Sequence, residues 1–320
     1  MKSLLTIFAL GAALASPSVF AQAYPSKPIK IIVPSAPGDG SDIIARLLAQ
    51  KVGEAWGVSV VVENKPGAGG VVGTEAAAKS PADGTTFIMG NAGSHAINQA
   101  LYKSLPYDVV RDFAAVSLIA SAPNVFVVNA NVPANTVVEF IKLAKAQPGT
   151  FSFASGGNGS SAHLNGEMLN ALADIKMTHI PYKGATPAIT DTISGVTQLM
   201  IGNLPPILPH IKSGKLKALG VTTMARTAAL PDVPPVADTV SGYESLAWFG
   251  LFAPANTPAD VIAKWHTEIV RVAKLPDVRE RIEKMGFDVV ANTPQEYAAI
   301  VRNDIKKWQR VVQISGARAD

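Results

Sequence analysis

Two glycine- and serine-rich loops carry the residue types best suited to holding an anion. The first, Pro34-Ser35-Ala36-Pro37-Gly38-Asp39-Gly40-Ser41-Asp42, follows the β-branched run KIIV and precedes IIARLLAQKVGEAWG, whose apolar residues recur at helical spacing. The second, Ser155-Gly156-Gly157-Asn158-Gly159-Ser160-Ser161, lies between TFSFAS and the helical AHLNGEMLNALA. A loop that joins a strand to a helix offers backbone N–H groups and the positive end of the helix dipole, and glycine permits close approach. Taken singly, each loop is also an ordinary tight turn. Facing each other across a cleft, the pair would hold a carboxylate with neutral donors rather than with a basic cluster.

Other chemistries fare worse. Gly38-x-Gly40-x-x-Ile43 after a strand, with Glu63 about twenty residues further on, is most of a dinucleotide fingerprint. Its third glycine is replaced by Ile43, and Asp39 stands where a pyrophosphate would lie. The five histidines, at 95, 163, 179, 210 and 266, include no pair at the spacing of a zinc helix. His163 and Glu167 are expected to pair along a helix face. Ser160 and Ser161 lack a nucleophile-elbow motif, which leaves an exported hydrolase a weak alternative. Asp39 has two open readings: a cap for its own helix, or a cleft carboxylate that pairs with an amino or amide group of whatever ligand the loops hold.

Composition narrows the field further. The chain has 320 residues, 48% hydrophobic and 16% charged, enough apolar side chain for two packed lobes and too little charge for disorder. It carries no cysteine, which excludes disulfide, thiolate and iron–sulfur chemistry. A net charge of +4 arises from 28 cations and 24 anions with no basic run longer than Lys306-Lys307, so no nucleic-acid partner is expected. Residues 1–23 read as a secretory signal peptide: Lys2, an apolar stretch too short to span a bilayer, then small residues ending at Ala21-Gln22-Ala23. Export across the cytoplasmic membrane removes the supply of nucleotide cofactors and weakens every enzyme hypothesis; no cofactor is expected.

Strands and helices alternate along the rest, which predicts a parallel sheet with ligands at the carboxyl ends of its strands. Strands are expected at VSVVV, TTFIMG, SLIA, NVFVV, TFSFAS, MTHIPYKG, VTQLMIG, KALGVT and WFGLFAP. The segments NLPPILPHIKSG and Leu230–Pro235 read as proline-rich connections, and the C-terminal part as helical, with caps at Thr257-Pro258 and Thr293-Pro294-Gln295-Glu296. The chain crosses between two α/β lobes near Ser117–Asn129 and returns near Tyr243–Ala253, making a hinge. Trp56, Trp265 and Trp308 fall on helical patterns as core residues, whereas Trp248 at the return crossing is a candidate for the cleft wall.

The motifs YPSKPIKIIVPSAPGDGSD, VVENKPGAGGVVGTEAAAKSPADGTT, PYDVVRDF, SFASGGNGSSAHLNGE, HIPYKGATPAITDTISG, LKALGVTTMART and WFGLFAPANTPADVI occur in an order that resembles the Bug receptors, periplasmic solute-binding proteins of tripartite tricarboxylate transporters. The resemblance spans the chain beyond the signal peptide. It implies a type II periplasmic-binding-protein fold, with lobes 24–122 plus 247–320 and 123–246, joined by two crossover segments. It also implies a monomer without enzymatic activity that delivers a small carboxylated solute, a dicarboxylate, amino acid or aromatic acid, to membrane transporter subunits. A ligand sensor for a sensor kinase is the alternative. The family's first loop, P-G-G-x-x-D, is matched by Pro37, Gly38 and Asp42 but departed from at Asp39 and Gly40. Its second is matched by Ser155, Gly157, Gly159, Ser160, His163 and Leu164. With these loops, the resemblance implies solute contacts at Ser35, Ser41, Asn158 and Ser161, and further ones at Asn91, Tyr182 and Asn203.

Overall fold

The β-branched runs become strands because neighbouring helices bury their side chains. In the computed structural model, which describes residues 24–319, IKIIV forms β1 (Ile29–Val33), with all but Lys30 buried. Residues 1–23, read above as a signal peptide, lie outside the described range. The other strands are β2 (Val60–Asn64), β3 (Thr86–Asn91), β4 (Phe113–Asn129), β5 (Ser152–Ser155), β6 (Thr178–Pro181), β7 (Leu199–Asn203), β8 (Leu216–Val221), β9 (Leu246–Pro254) and β10 (Asp288–Val289). Between them run α1 (Gly40–Trp56), α2 (Val71–Ala78), α3 (Asn98–Leu101), α4 (Val109–Asp112), α5 (Val137–Ala146), α6 (Ser161–Ala173), α7 (Ala185–Ser194) and α8 (Leu204–Lys212). The C-terminal helices are α9 (Ala259–Ala273), α10 (Pro276–Lys284) and α11 (Pro294–Ser315).

The strands lie in the order β2-β1-β3-β9-β4-β7-β5-β6, with β10 and β8 pairing β4 off this path. Within each lobe the strand–loop–helix units are parallel: β1 with β2 and β3, β5 with β6 and β7. The sheet as a whole is mixed rather than parallel, because β9 and β4 run antiparallel to their neighbours. Those are the strands that carry the chain between lobes.

Residues 116–128, expected as two strands, form part of the single 17-residue β4. Its first part pairs with β9 from Phe113↔Pro254 to Pro123↔Leu246, and its last part, Asn124–Asn129, pairs with β7 and β8. Register shifts opposite β9 bend and twist it, as bulges do, so that one strand serves both sheets. Where the chain returns, Ser245 meets it: the Asn124 Nδ2 donates to Ser245 Oγ (3.1 Å), and the Thr222 hydroxyl donates to the Ser245 carbonyl (2.7 Å) while accepting from the Asn124 N–H (3.1 Å). All three residues are fully buried.

The proline-rich NLPPILPHIK is a helix, α8, against expectation. Pro205 and Pro206 occupy its first turn, where backbone N–H groups have no intrahelical acceptor anyway. The expected box at Thr293 and Glu296 caps α11, whereas the Thr257 hydroxyl donates to the Pro254 carbonyl instead of capping α9. Trp265 and Trp308 are buried core residues, and Trp56 packs half-buried against Trp265 with ring centroids 4.9 Å apart.

Replacing Thr222 by Val keeps the shape and removes the hydroxyl, leaving the Asn124 N–H and the Ser245 carbonyl without that partner in a buried place. Thr222→Val should cost about 1–3 kcal/mol, read as a lower urea midpoint with an unchanged slope.

Candidate ligand-binding cleft

Between the two sheets lies a cavity of about 710 Å³ whose walls come from both lobes. The loop after β1 supplies Ser35, Asp39, Gly40 and Ser41 to one wall. Ser41 accepts at Oγ from the Asn91 Nδ2 (2.8 Å), which fixes Asn91, at the end of β3, beside it in the same wall. Pro37 and Gly38 are exposed outside the cavity. Asp42 points away from it into a polar cluster, where its carboxylate accepts from the Gly38 N–H (3.0 Å), Arg46 Nε (3.0 Å) and Asn64 Nδ2 (2.9 Å). Burial would raise the Asp42 carboxyl, but these donors outweigh it and hold it below the usual range. Asp42 thus shapes the loop from behind.

The loop after β5 supplies Gly157, Asn158, Ser160 and Ser161, and the facing elements add Tyr182 and Asn203. Ser161 donates from Oγ to Asn203 Oδ1 (3.3 Å), and Ser160 caps α6 by accepting from the His163 N–H (3.3 Å). Ser155, Gly159 and His163 stand behind this surface rather than on it. His163 does not pair with Glu167; its Nδ1 accepts from the Gly159 N–H (3.2 Å), and its ring stacks on His179 at 4.1 Å. His179 Nε2 in turn lies 2.6 Å from Ser155 Oγ, which also accepts from the Gly157 N–H (3.1 Å). Burial lowers both histidines, His163 to about 4 and His179 to about 3, the latter helped by its neighbour. Their neutral rings are what let Nδ1 of His163 serve as an acceptor.

The helices α1 and α6 therefore begin at the cavity, and the first N–H groups of a helix have no intrahelical acceptor. Among the lining residues only Asp39 and the exposed Lys183 carry charge. The remaining wall is largely apolar, with Met200, Pro206, Trp248 and Phe249 prominent. Trp248 is held by its indole N–H, which donates to Asp304 Oδ2 on α11 (2.6 Å). Burial raises the Asp304 carboxyl.

Asp39 makes no cap for α1. Its Oδ1 instead accepts from the backbone N–H of Ala185, the first residue of α7 in the other lobe (3.3 Å). Burial pushes its carboxyl up to about 6, with Asp42 adding to the rise and the Ala185 N–H opposing it.

Sequence reasoning missed the apolar wall of Met200, Pro206 and Phe249, and three further contributors. The loop Pro66–Gly70 lines the cavity, and its signal was legible, since NKPGAGG follows β2 as the other loops follow their strands. His179 gave no signal, because its partner Ser155 is 24 residues away. Ala319 also reaches the rim, where its carbonyl accepts from Asn158 Nδ2 (3.1 Å).

Paired α/β lobes around a cleft floored by helix N-termini define a solute-binding receptor of the periplasmic-binding-protein type. Residues 44–317 match the model of the tripartite tricarboxylate transporter family receptor, and the chain belongs to that family, which includes the Bug proteins. Protein BugT of Bordetella pertussis is 36% identical over 322 residues, covering 99% of this chain and 98% of BugT. Two solved structures share the fold closely. Rpa4515 of R. palustris with adipate has a TM-score of 0.89 at 32% identity, over 92% of this chain and 98% of that one. MatC of Rhodopseudomonas palustris with bound malate has 0.86 at 30%, over 90% and 100%.

Two expectations follow from the histidine-backed loop. Buried neutral histidines, His95 near 3 as well as His163 and His179, bind a proton more weakly in the folded chain than at the ordinary value of 6.5. Their contribution is complete above that value and is lost as pH falls through it toward the folded values. Urea unfolding of wild type should show stability falling between about pH 6.5 and 4, and His179→Asn should flatten that fall. Gly159 has φ +81°, and a Cβ there would strike Asn98 Oδ1 from the other lobe. Gly159→Val should weaken solute binding by at least about tenfold, equivalent to 1.4 kcal/mol, in calorimetry, with the far-UV spectrum unchanged.

Proposed function

We propose that the protein captures a small carboxylate with an apolar body outside the cytoplasmic membrane and presents it to the membrane subunits of a tripartite transporter. The observation that carries this reading is the pairing of two helix N-termini, α1 and α6, with a wall of Trp248, Phe249, Met200 and Pro206 in one cavity. Neutral backbone donors suit a carboxylate, and the apolar wall suits the carbon skeleton between its polar ends. Adipate in one structural relative and malate in another support the class of solute. On this reading residues 1–23 are an export signal removed from the mature chain. The lobes, 24–122 with 247–320 and 123–246, close about the two crossings on a solute that leaves chemically unchanged.

The test uses the chain without residues 1–23, screened by thermal shift and then calorimetry against dicarboxylates, amino acids and aromatic acids. One solute per chain is expected, recovered unaltered by mass spectrometry. Trp248→Ala should weaken it by at least about tenfold. Stabilisation by neutral sugars or cations and by no carboxylate would overturn the reading.

A further inference from the structure

Asp39 stands at the start of one lobe's helix and satisfies the helix of the other. Gly184, the residue before α7, offers no side-chain cap, and the Asp39 carboxylate takes that place from across the cleft. The loops are pressed together there: a Cβ on Gly184 would fall 2.6 Å from the Cβ of Ala36. The groups that face Asp39 leave its charge uncompensated. The donors around it are neutral, the Ala185 and Ala36 N–H groups and the Ser35 hydroxyl, while Asp42 on its own helix adds like charge and is itself engaged by Arg46. Of the opposite loop's side chains in the cavity wall, Tyr182 donates its hydroxyl to Asp191 and Lys183 is solvent-exposed. Burial raises its carboxyl, and Asp42 adds to the rise.

The donor end of α7 is thus already occupied by a carboxylate that belongs to the protein. A solute carboxylate finds the uncapped first turn of α1, and at α6 the first-turn N–H groups ahead of the His163 N–H that Ser160 already caps. A second carboxylate directed toward α7 would meet Asp39 at close range, whereas an ammonium or amide would donate to it. We propose that Asp39 is the specificity-determining residue of this cleft, selecting a solute with one carboxylate and a hydrogen-bond donor at its far end against a dicarboxylate of equal length. This rests on the carboxylate reading above.

Calorimetry on matched pairs tests it: succinate against γ-aminobutyrate, glutarate against δ-aminovalerate, and adipate against ε-aminocaproate, each with wild type, Asp39→Asn and Asp39→Gly. Asp39→Asn keeps the side-chain volume and an oxygen for the Ala185 N–H, so it isolates charge. Wild type should favour the amine in each pair that binds, and both variants should shift the ratio toward the dicarboxylate by at least about tenfold. Equal ratios in wild type and both variants would overturn the role of Asp39 while leaving the carboxylate reading intact. Failure of every acid to bind any of the three proteins would overturn that reading itself, and the selectivity with it.

Discussion

One strand has to be in two places, and the site depends on how that is achieved. β4 is a member of both sheets, and at the point where it changes allegiance it is tied to the returning chain by Asn124, Thr222 and Ser245. A polar knot in a dry interior is held by the cost of leaving any member unpaired, so it defines one crossing geometry. That geometry sets the loop after β1 opposite the loop after β5. Beyond the knot the lobes also meet where α11 packs against α6, so the crossing geometry is held by a shared apolar core as well as by hydrogen bonds.

The cleft itself is built in two layers. Side chains with strong chemistry stand behind it: Asp42 with Arg46 and Asn64 on one side, His163 and His179 with Ser155 on the other. What they present to the cavity is mostly backbone and hydroxyl. Apart from the solvent-exposed Lys183 the cavity wall carries no formal positive charge, so attraction for an anion rests on oriented dipoles that need no counter-ion and little reorganisation. Trp248 follows the same plan, its ring offered to the cavity while Asp304 holds the indole from α11.

Both strand–loop–helix units were legible in the sequence, because β-branched runs, glycine clusters and helical periodicity are local signals. The second-layer roles were not. Asp42 and His163 sit in motifs that point to a ligand, and nothing in the spacing says that Arg46 or the Gly159 N–H will claim them first. α8 was read as a connection because prolines were counted rather than placed; two of its three fall in the first turn, where they do no harm. The mixed sheet was missed because alternation of strands and helices predicts parallel neighbours, and only tertiary topology reveals that the hinge strands run the other way. For Asp39 the sequence offered two roles, cap or solute contact. That the helix it caps belongs to the other lobe depends on which loops meet across the cleft, which no local pattern encodes.

After α11 the backbone turns at Gly316, φ +67°, and runs to Ala319, whose carbonyl rests on Asn158 in the loop that opens α6. Anything joined beyond that point emerges at the mouth of the cavity. An affinity tag or fluorescent fusion attached there would crowd the entry path and pull on the loop it is meant to leave undisturbed. A handle placed ahead of Tyr24, whose ring packs against Trp56 away from the cavity lining, meets neither constraint.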